Sequence, residues 1–305
     1  MNLPSTNFSY EQMKLTCLYK NPKLSNHDFV FRSRKYQEVY GLPLVFAKSR
    51  LRRPYLYNSV VTTVDGKVAF PDAPEGPFIS SKNRYAQQGA NTDWWTLNAL
   101  RASADAIMFG ANTLAAEKDA TGHVYDSYLI DDRMYNGMNP VPINIIPSLS
   151  GLDIPYDHKE FTCGLIPIII YTTLEGSEIA SKSLPDFTVI DLRNKNYSTS
   201  RKENLILICG VNNRIDHEAA MKFLYRIGIR RLLIESPTMT HIFIKEKLMD
   251  ELFINTSGIY LGGQALSIGT NQKSFTTKDF PCTELLTLHM HSPHFLFSRY
   301  RLIYD

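Results

Sequence analysis

No apolar run in the 305-residue sequence approaches membrane-spanning length. Its longest such stretches, Leu165–Tyr171 and the neighbourhood of Asp105–Gly110, fall far short of the ~20 residues a bilayer helix needs, so no membrane partner is expected. The opening MNLPSTNFSYEQMKL lacks a basic segment, an apolar run and a small-residue cleavage site in succession, which argues against a secretory leader and for a cytoplasmic protein. Cysteine is sparse. Cys17, Cys163, Cys209 and Cys282 stand far apart with no Cys-x-x-Cys pair, which removes zinc knuckles and dithiol redox chemistry and leaves reduced thiols. Neither sign of charge is in excess: 33 Lys and Arg against 30 Asp and Glu leave +3, too weak a field to suggest nucleic acid or an anionic membrane.

Signature loops are missing as well. There is no glycine followed after four residues by Gly-Lys-Ser/Thr, no trio of spaced glycines after a strand, and no Gly-x-Ser-x-Gly. Pro281-Cys282-Thr283-Glu284 lacks the second cysteine of a zinc deaminase. His289, His291 and His294 form the one histidine cluster, but Pro293 interrupts it and no carboxylate or thiol joins it, so no metal is expected.

What remains is an ordinary globular composition, 44% hydrophobic and 21% charged, long enough for one large domain or two smaller ones. Residues 1–52 read as an irregular arm with one short helix at Ser33–Tyr40, and residues 53–305 as the folded domain. Tyr55–Val64, rich in Tyr, Val and Thr, predicts a strand ending at the turn Asp65-Gly66. Asn91 or Thr92 can cap a helix from Asp93 to Ala104, followed by a buried strand at Ala106–Gly110 and a helix entered at Ala111. Further strands are predicted at Ile168–Tyr171, Phe187–Ile190, Leu205–Ile208, Arg231–Ile234 and Glu251–Ile259, with helices at Asp216–Gly228 and Thr238–Lys247. Leu285–Met290 and Phe295–Ile303 close the chain as antiparallel strands, and the alternation predicts a mixed α/β sheet.

Two turns can carry chemistry. Gly110-Ala111-Asn112-Thr113 follows a buried strand and opens a helix, the arrangement in which backbone N–H groups hold a phosphate; its plain alternative is a connection and no more. Ile234-Glu235-Ser236-Pro237-Thr238 repeats it, and Glu235 at a strand end needs a partner if buried. Taken alone, Asp65-Gly66-Lys67 reads as a hairpin turn.

Together the segments say more. Arg53-Pro54-Tyr55, VTTVDGKVA, DWWTLNALRASADAIMFGANTLAAE, IRRLLIESPT and LMDELFINTSGIYLGG occur in this order, and the chain from residue 53 to about 265 resembles the reductase domain of the bifunctional riboflavin-biosynthesis deaminase/reductase. The resemblance implies a dihydrofolate-reductase-like fold that uses NADPH, with NADH as the alternative, to reduce the ribosyl group of a ribosylaminopyrimidine phosphate or a related pterin- or flavin-like heterocycle. It implies that Gly110, Ala111, Asn112 and Thr113 hold the cofactor, that Ser236 and Thr238 meet its diphosphate, and that Thr172 and Thr173 serve its adenosine side. Thr63, Asp65 and Lys67 would face the substrate, with Asp65, Lys67, Glu117 and Glu235 as the catalytic set. A homodimer is implied too, with the arm across the partner or over the cleft.

The chain departs from that pattern in three places. Glu235-Ser236-Pro237-Thr238 is one residue shorter than the family's Glu-Gly-Gly-Pro-Thr, and its proline removes a backbone donor at the expected phosphate position. Glu117-Lys118-Asp119 replaces Asp-Asn-Pro, and the Leu-Thr-x-Arg element that follows in the family is not recognisable. The alternative expectation is therefore a ligand-binding or interaction protein that keeps the fold without the reaction.

Overall fold

Runs such as Ile168–Thr173 and Arg231–Ile234 are buried at every residue, which requires a sheet covered on both faces. The structure, a computed structural model, describes residues 3–25, 27–48, 52–194, 204–212, 214–270 and 272–304. The first part of the chain forms β1 (Thr16–Lys20), β2 (Phe29–Phe31), α1 (Arg34–Tyr40), β3 (Leu44–Phe46), β4 (Tyr55–Thr63), α2 (Phe78–Ser81) and α3 (Gln87–Ser103). The middle forms β5 (Ala106–Met108), α4 (Ala111–Ala116), α5 (Ser127–Tyr135), β6 (Ile143–Pro147), α6 (Lys159–Thr162), β7 (Ile168–Thr173), α7 (Leu174–Ser183) and β8 (Thr188–Asp191). The last part forms β9 (Leu205–Val211), β10 (Arg214–Ile215), α8 (His217–Arg226), β11 (Arg231–Ile234), α9 (Pro237–Lys245), β12 (Glu251–Ser257), β13 (Cys282–Ser292) and β14 (Phe295–Ile303).

Among the described residues, twelve strands join one sheet in the order β1-β13-β14-β12-β4-β11-β5-β6-β7-β9-β10, with β8 also on β9. The pairs from β12 to β9 are parallel, whereas β14, β13 and β1 add antiparallel strands at one side. This is the mixed α/β architecture with terminal antiparallel strands that the sequence predicts. Alternation fixes the two faces: Leu56, Met108 and Leu232 pack with Phe223 of α8 and Phe243 of α9, while Tyr57, Ile107 and Leu233 pack with Trp95 of α3. Among the described residues no helix is long and apolar enough to cross a membrane.

The N-terminal arm is not irregular. Met13, Phe31, Tyr36, Tyr40, Leu44 and Phe46 are buried in the α3-side core, and β1 pairs with β13. The sequence hides this because the arm's apolar residues are spread over short elements with no sustained period. It is tied to the domain by Asp126, to which the Tyr10 hydroxyl and the Trp95 indole both donate, at 2.8 and 2.9 Å.

Helix α3 begins at Gln87 rather than Asp93. Gly89 and Asn91 resemble a breaker and a cap, but Gly89 lies under Phe295, where a Cβ would stand 3.0 Å from the ring, so the glycine serves packing inside the helix. Strand β6 lies in a segment given no such element from the sequence, because prolines at 140, 142 and 147 read as loop punctuation, and helix α5, which Asp126 caps, is likewise absent from the sequence reading.

Candidate active site

Parallel strands β4, β5 and β11 end on the same edge of the sheet, where open α/β sheets hold their ligands. Strand β4 lies between β12 and β11, yet Ser59, Val60 and Val61 in its C-terminal half are only half-buried. Four strand-end features surround this edge.

The Gly110 and Ser236 turns are side by side, since a Cβ on Gly110 would stand 3.8 Å from Ser236 Oγ. Ser236 caps α9 by accepting from the Met239 N–H at 3.3 Å, and Pro237 occupies the first helical position, which proline fits without disturbing the helix. The Asn112 and Thr238 N–H groups, at the first turns of α4 and α9, meet no acceptor among the described residues. Asn112 and Thr238 are exposed, Thr113 is half-buried and Ala111 is buried.

Glu235 receives two parallel bonds from Arg101 of α3, at 2.7 and 2.6 Å, in a fork-to-fork pair. Arg101 also donates to the Thr121 and His123 carbonyls, and its guanidinium lies 5.7 Å from the Trp94 ring centre. Glu117 is close enough to feel both members of this pair; burial raises its carboxyl pKa, with Arg101 opposing. Glu117 and Glu235 are thus brought together, with Arg101 between them in charge.

Asp65 is held differently. Its carboxylate accepts from the Thr63 hydroxyl at 2.6 Å and from the Leu261 and Gly262 N–H groups at 3.2 and 2.8 Å. The Thr63 hydroxyl above all, with the two N–H groups, lowers its pKa to about 2. At neutral pH Asp65 can accept but not donate a proton, and it anchors the Leu261-Gly262 loop beside the β4 turn. Lys67 shares the turn: its N–H donates to Thr63 Oγ1 at 2.9 Å, and its ammonium has no ion pair among the described residues.

Thr172 and Thr173 are fully buried at the end of β7. Thr173 caps α7 by accepting from the Gly176 N–H and donates to the Leu149 carbonyl, while Thr172 Oγ1 has no partner among the described residues. Both side chains are buried in the protein interior. Next to the strand-end edge, a cavity of about 480 Å³ is lined by Phe70, Phe78, Lys82, Asn83, Arg84 and Tyr85. Sequence reasoning singled out neither this cavity nor Arg101, although the need for a partner at Glu235 was the signal that could have found the arginine.

Residues 54–290 match the RibD C-terminal domain. The chain belongs to that family. This RibD C-terminal domain protein is 26% identical over 227 residues to a 2,5-diamino-6-ribosylamino-4(3H)-pyrimidinone 5′-phosphate reductase of Archaeoglobus fulgidus, covering 74% of this chain and 90% of that one. Its fold is similar to a pyrimidine reductase-like protein of Corynebacterium diphtheriae (TM-score 0.58, 18% identity, 83% of this chain and 93% of that chain). It is similar too to a Thermotoga maritima diaminohydroxyphosphoribosylaminopyrimidine deaminase/5-amino-6-(5-phosphoribosylamino)uracil reductase (TM-score 0.53, 15% identity, 82% of this chain and 57% of that one). The RibD C-terminal domain family and its curated relative are pyrimidine reductases, which implies a nicotinamide cofactor. The edge fits one: two adjacent helix starts offer open N–H donors and hydroxyls of the kind that hold a diphosphate.

Proposed function

We propose that the chain is an NADPH-dependent reductase that converts the ribosyl group of a ribosylaminopyrimidine 5′-phosphate to a ribityl group. The observation that carries this reading is the juxtaposition of the Gly110 and Ser236 turns beside the Arg101–Glu235 pair and the open stretch of β4. Gly110, Ala111, Asn112, Thr113, Ser236 and Thr238 hold the cofactor, which when bound supplies a hydride. Thr173 caps the adjoining α7 turn, and Thr172 is buried beside it, so neither is placed in the cofactor set.

On the substrate side, Thr63 and Asp65 set the β4 turn, and the Lys67 ammonium supplies the positive charge that suits an anionic group. Arg101 orients Glu235, whose carboxylate can accept from ring N–H or ribose hydroxyl groups. Glu117 sits beside that pair as a carboxyl raised by burial. A homodimer is part of the proposal: edge strand β1 is exposed throughout, with Leu18 and Tyr19 uncovered.

The test is a titration with NADPH and NADH followed by turnover on two pyrimidines, 2,5-diamino-6-ribosylaminopyrimidinone 5′-phosphate and 5-amino-6-(5-phosphoribosylamino)uracil. Micromolar NADPH binding and substrate-dependent oxidation are expected on at least one. Binding without turnover on either would favour a ligand-binding protein that retains the fold, a reading that the donor lost at Pro237 supports. Sedimentation of the pure protein checks the dimer.

A further inference from the structure

Reduction of a ribosylamine at C1′ needs a proton as well as a hydride, and two of the carboxylates considered above are poorly suited to give one: Asp65 is ionised and Glu235 is tied to Arg101. Glu117, raised by burial against the pull of the same arginine, is the competing donor. Another carboxyl flanks the half-buried stretch of β4. Asp93, Leu97 and Arg101 follow one another at four-residue spacing on one face of α3, which puts Asp93 roughly 12 Å along the helix from Arg101. The two ends dock on opposite sides of β4: Arg101 on Glu235 at the end of β11, and Asp93 on Asn255 of β12, whose Nδ2 donates to it at 2.7 Å. Between them lies the half-buried Ser59–Val61 stretch. Asp93 itself is half-buried.

Its surroundings keep a proton on it. Asn255 from β12 and Ser80 from α2 hydrogen-bond to it, and Tyr40 from α1 is the titratable neighbour, a phenol kept neutral by burial. Among the described residues no cation pairs with it. Burial outweighs the two hydrogen bonds and lifts its pKa to about 6.

Resting on the reductase reading above, we propose that Asp93 is the general acid of the reaction, donating its proton to the ribose ring oxygen as the ring opens. The C1′–O4′ bond breaks with its electron pair going to O4′, which takes the Asp93 proton and becomes a hydroxyl. C1′ receives the hydride of the dihydronicotinamide, and the carboxylate left behind is reprotonated from water. Asn255 is a positioning residue that sets the direction and acidity of that carboxyl.

The test compares wild type, Asp93→Asn and Asn255→Ala in single-turnover NADPH oxidation with the ribosylaminopyrimidine phosphates, together with ¹³C NMR titration of the aspartate carboxyls in the free protein. In wild type the rate should fall as pH rises above about 6, because only the protonated acid can donate, and one carboxyl should titrate near that value. Asp93→Asn should bind NADPH within about threefold of wild type, lose that NMR titration, and slow the step by roughly 10²-fold or more. Asn255→Ala removes a bond that favours the charged form, so both the carboxyl titration and the falling limb should move to higher pH. Wild-type turnover with Asp93→Asn within threefold of it, or a limb that Asn255→Ala does not move, overturns Asp93 alone. Absence of any wild-type turnover overturns the reductase reading and Asp93 with it.

Discussion

Arg101 and Glu235, 134 residues apart in sequence, meet through two parallel hydrogen bonds of 2.7 and 2.6 Å with each side chain only 10% exposed. The pair joins α3 to the end of β11 at the edge where the candidate site lies. Removing one partner leaves the other charged and dry. Arg101→Leu is therefore expected to cost about 3 to 5 kcal/mol in chemical denaturation, and the double variant with Glu235→Leu to recover much of it. Equal losses in the single and double variants would show that the pairing is not what matters.

Gly122 lies where a Cβ would come within 2.4 Å of Asn144 Nδ2 and 2.5 Å of Phe109 Cε1. Gly122→Ala must push out the turn whose Thr121 and His123 carbonyls hold Arg101. A loss of about 1 to 3 kcal/mol is expected, with KM for the pyrimidine rising more than kcat falls. Unchanged melting and kinetics would mean the turn relaxes freely.

Phe46, 1% exposed, packs its ring 4.7 Å from that of Tyr57 and beneath Arg299. Phe46→Ala should lose about 3 to 5 kcal/mol, whereas Tyr19→Ala on exposed β1 should stay within about 0.5 kcal/mol. Similar small effects at both positions would detach the arm from the core.

The depressed acidity of Asp65 has a definite sign. Its bonded carboxylate contributes stability that is fully present above its ordinary value of 3.8 and is lost as pH falls through about 2. The melting-temperature gap between wild type and Asp65→Asn should thus be constant from pH 5 to 7 and close below about pH 4. A gap that persists undiminished to pH 2 contradicts the assignment.

Pro237 is the departure that bears most directly on the proposed cofactor site. Pro237→Ala restores an N–H at the first position of α9, and one added hydrogen bond of about 0.5 to 1.5 kcal/mol should tighten NADPH roughly 2- to 12-fold by titration. No change would show that the diphosphate does not use that position.

The sequence reveals elements wherever one dominates a continuous window. Strands β4, β7 and β11 are apolar runs bounded by turn residues, and helix α8 carries both a cap at Asp216 and an apolar stripe. The Gly110 and Ser236 turns are legible for the same reason. Legibility fails where a residue's role depends on something distant. Gly89 looks like a breaker until Phe295 is placed over it, and the roles of Thr173 as the cap of α7 and of Thr172 as a buried neighbour emerge only once α7 is in place. Arg101 sits unremarked in a helix until Glu235 arrives, and the arm looks irregular because its partners, Trp95, Tyr57 and β13, lie far along the chain.

Strand β1 joins the sheet by placing Thr16 opposite Met290 and Lys20 opposite Thr287. Its hydrogen-bonding partner is thus synthesised long after β1 itself. During synthesis the early aromatic residues Phe31, Tyr36 and Phe46 wait for a surface that only later segments complete. The time spent waiting grows with translation time, so slowing elongation downstream of β3 should lengthen exposure of this segment to chaperones, while a nascent chain released before β13 should leave the sheet open at one end.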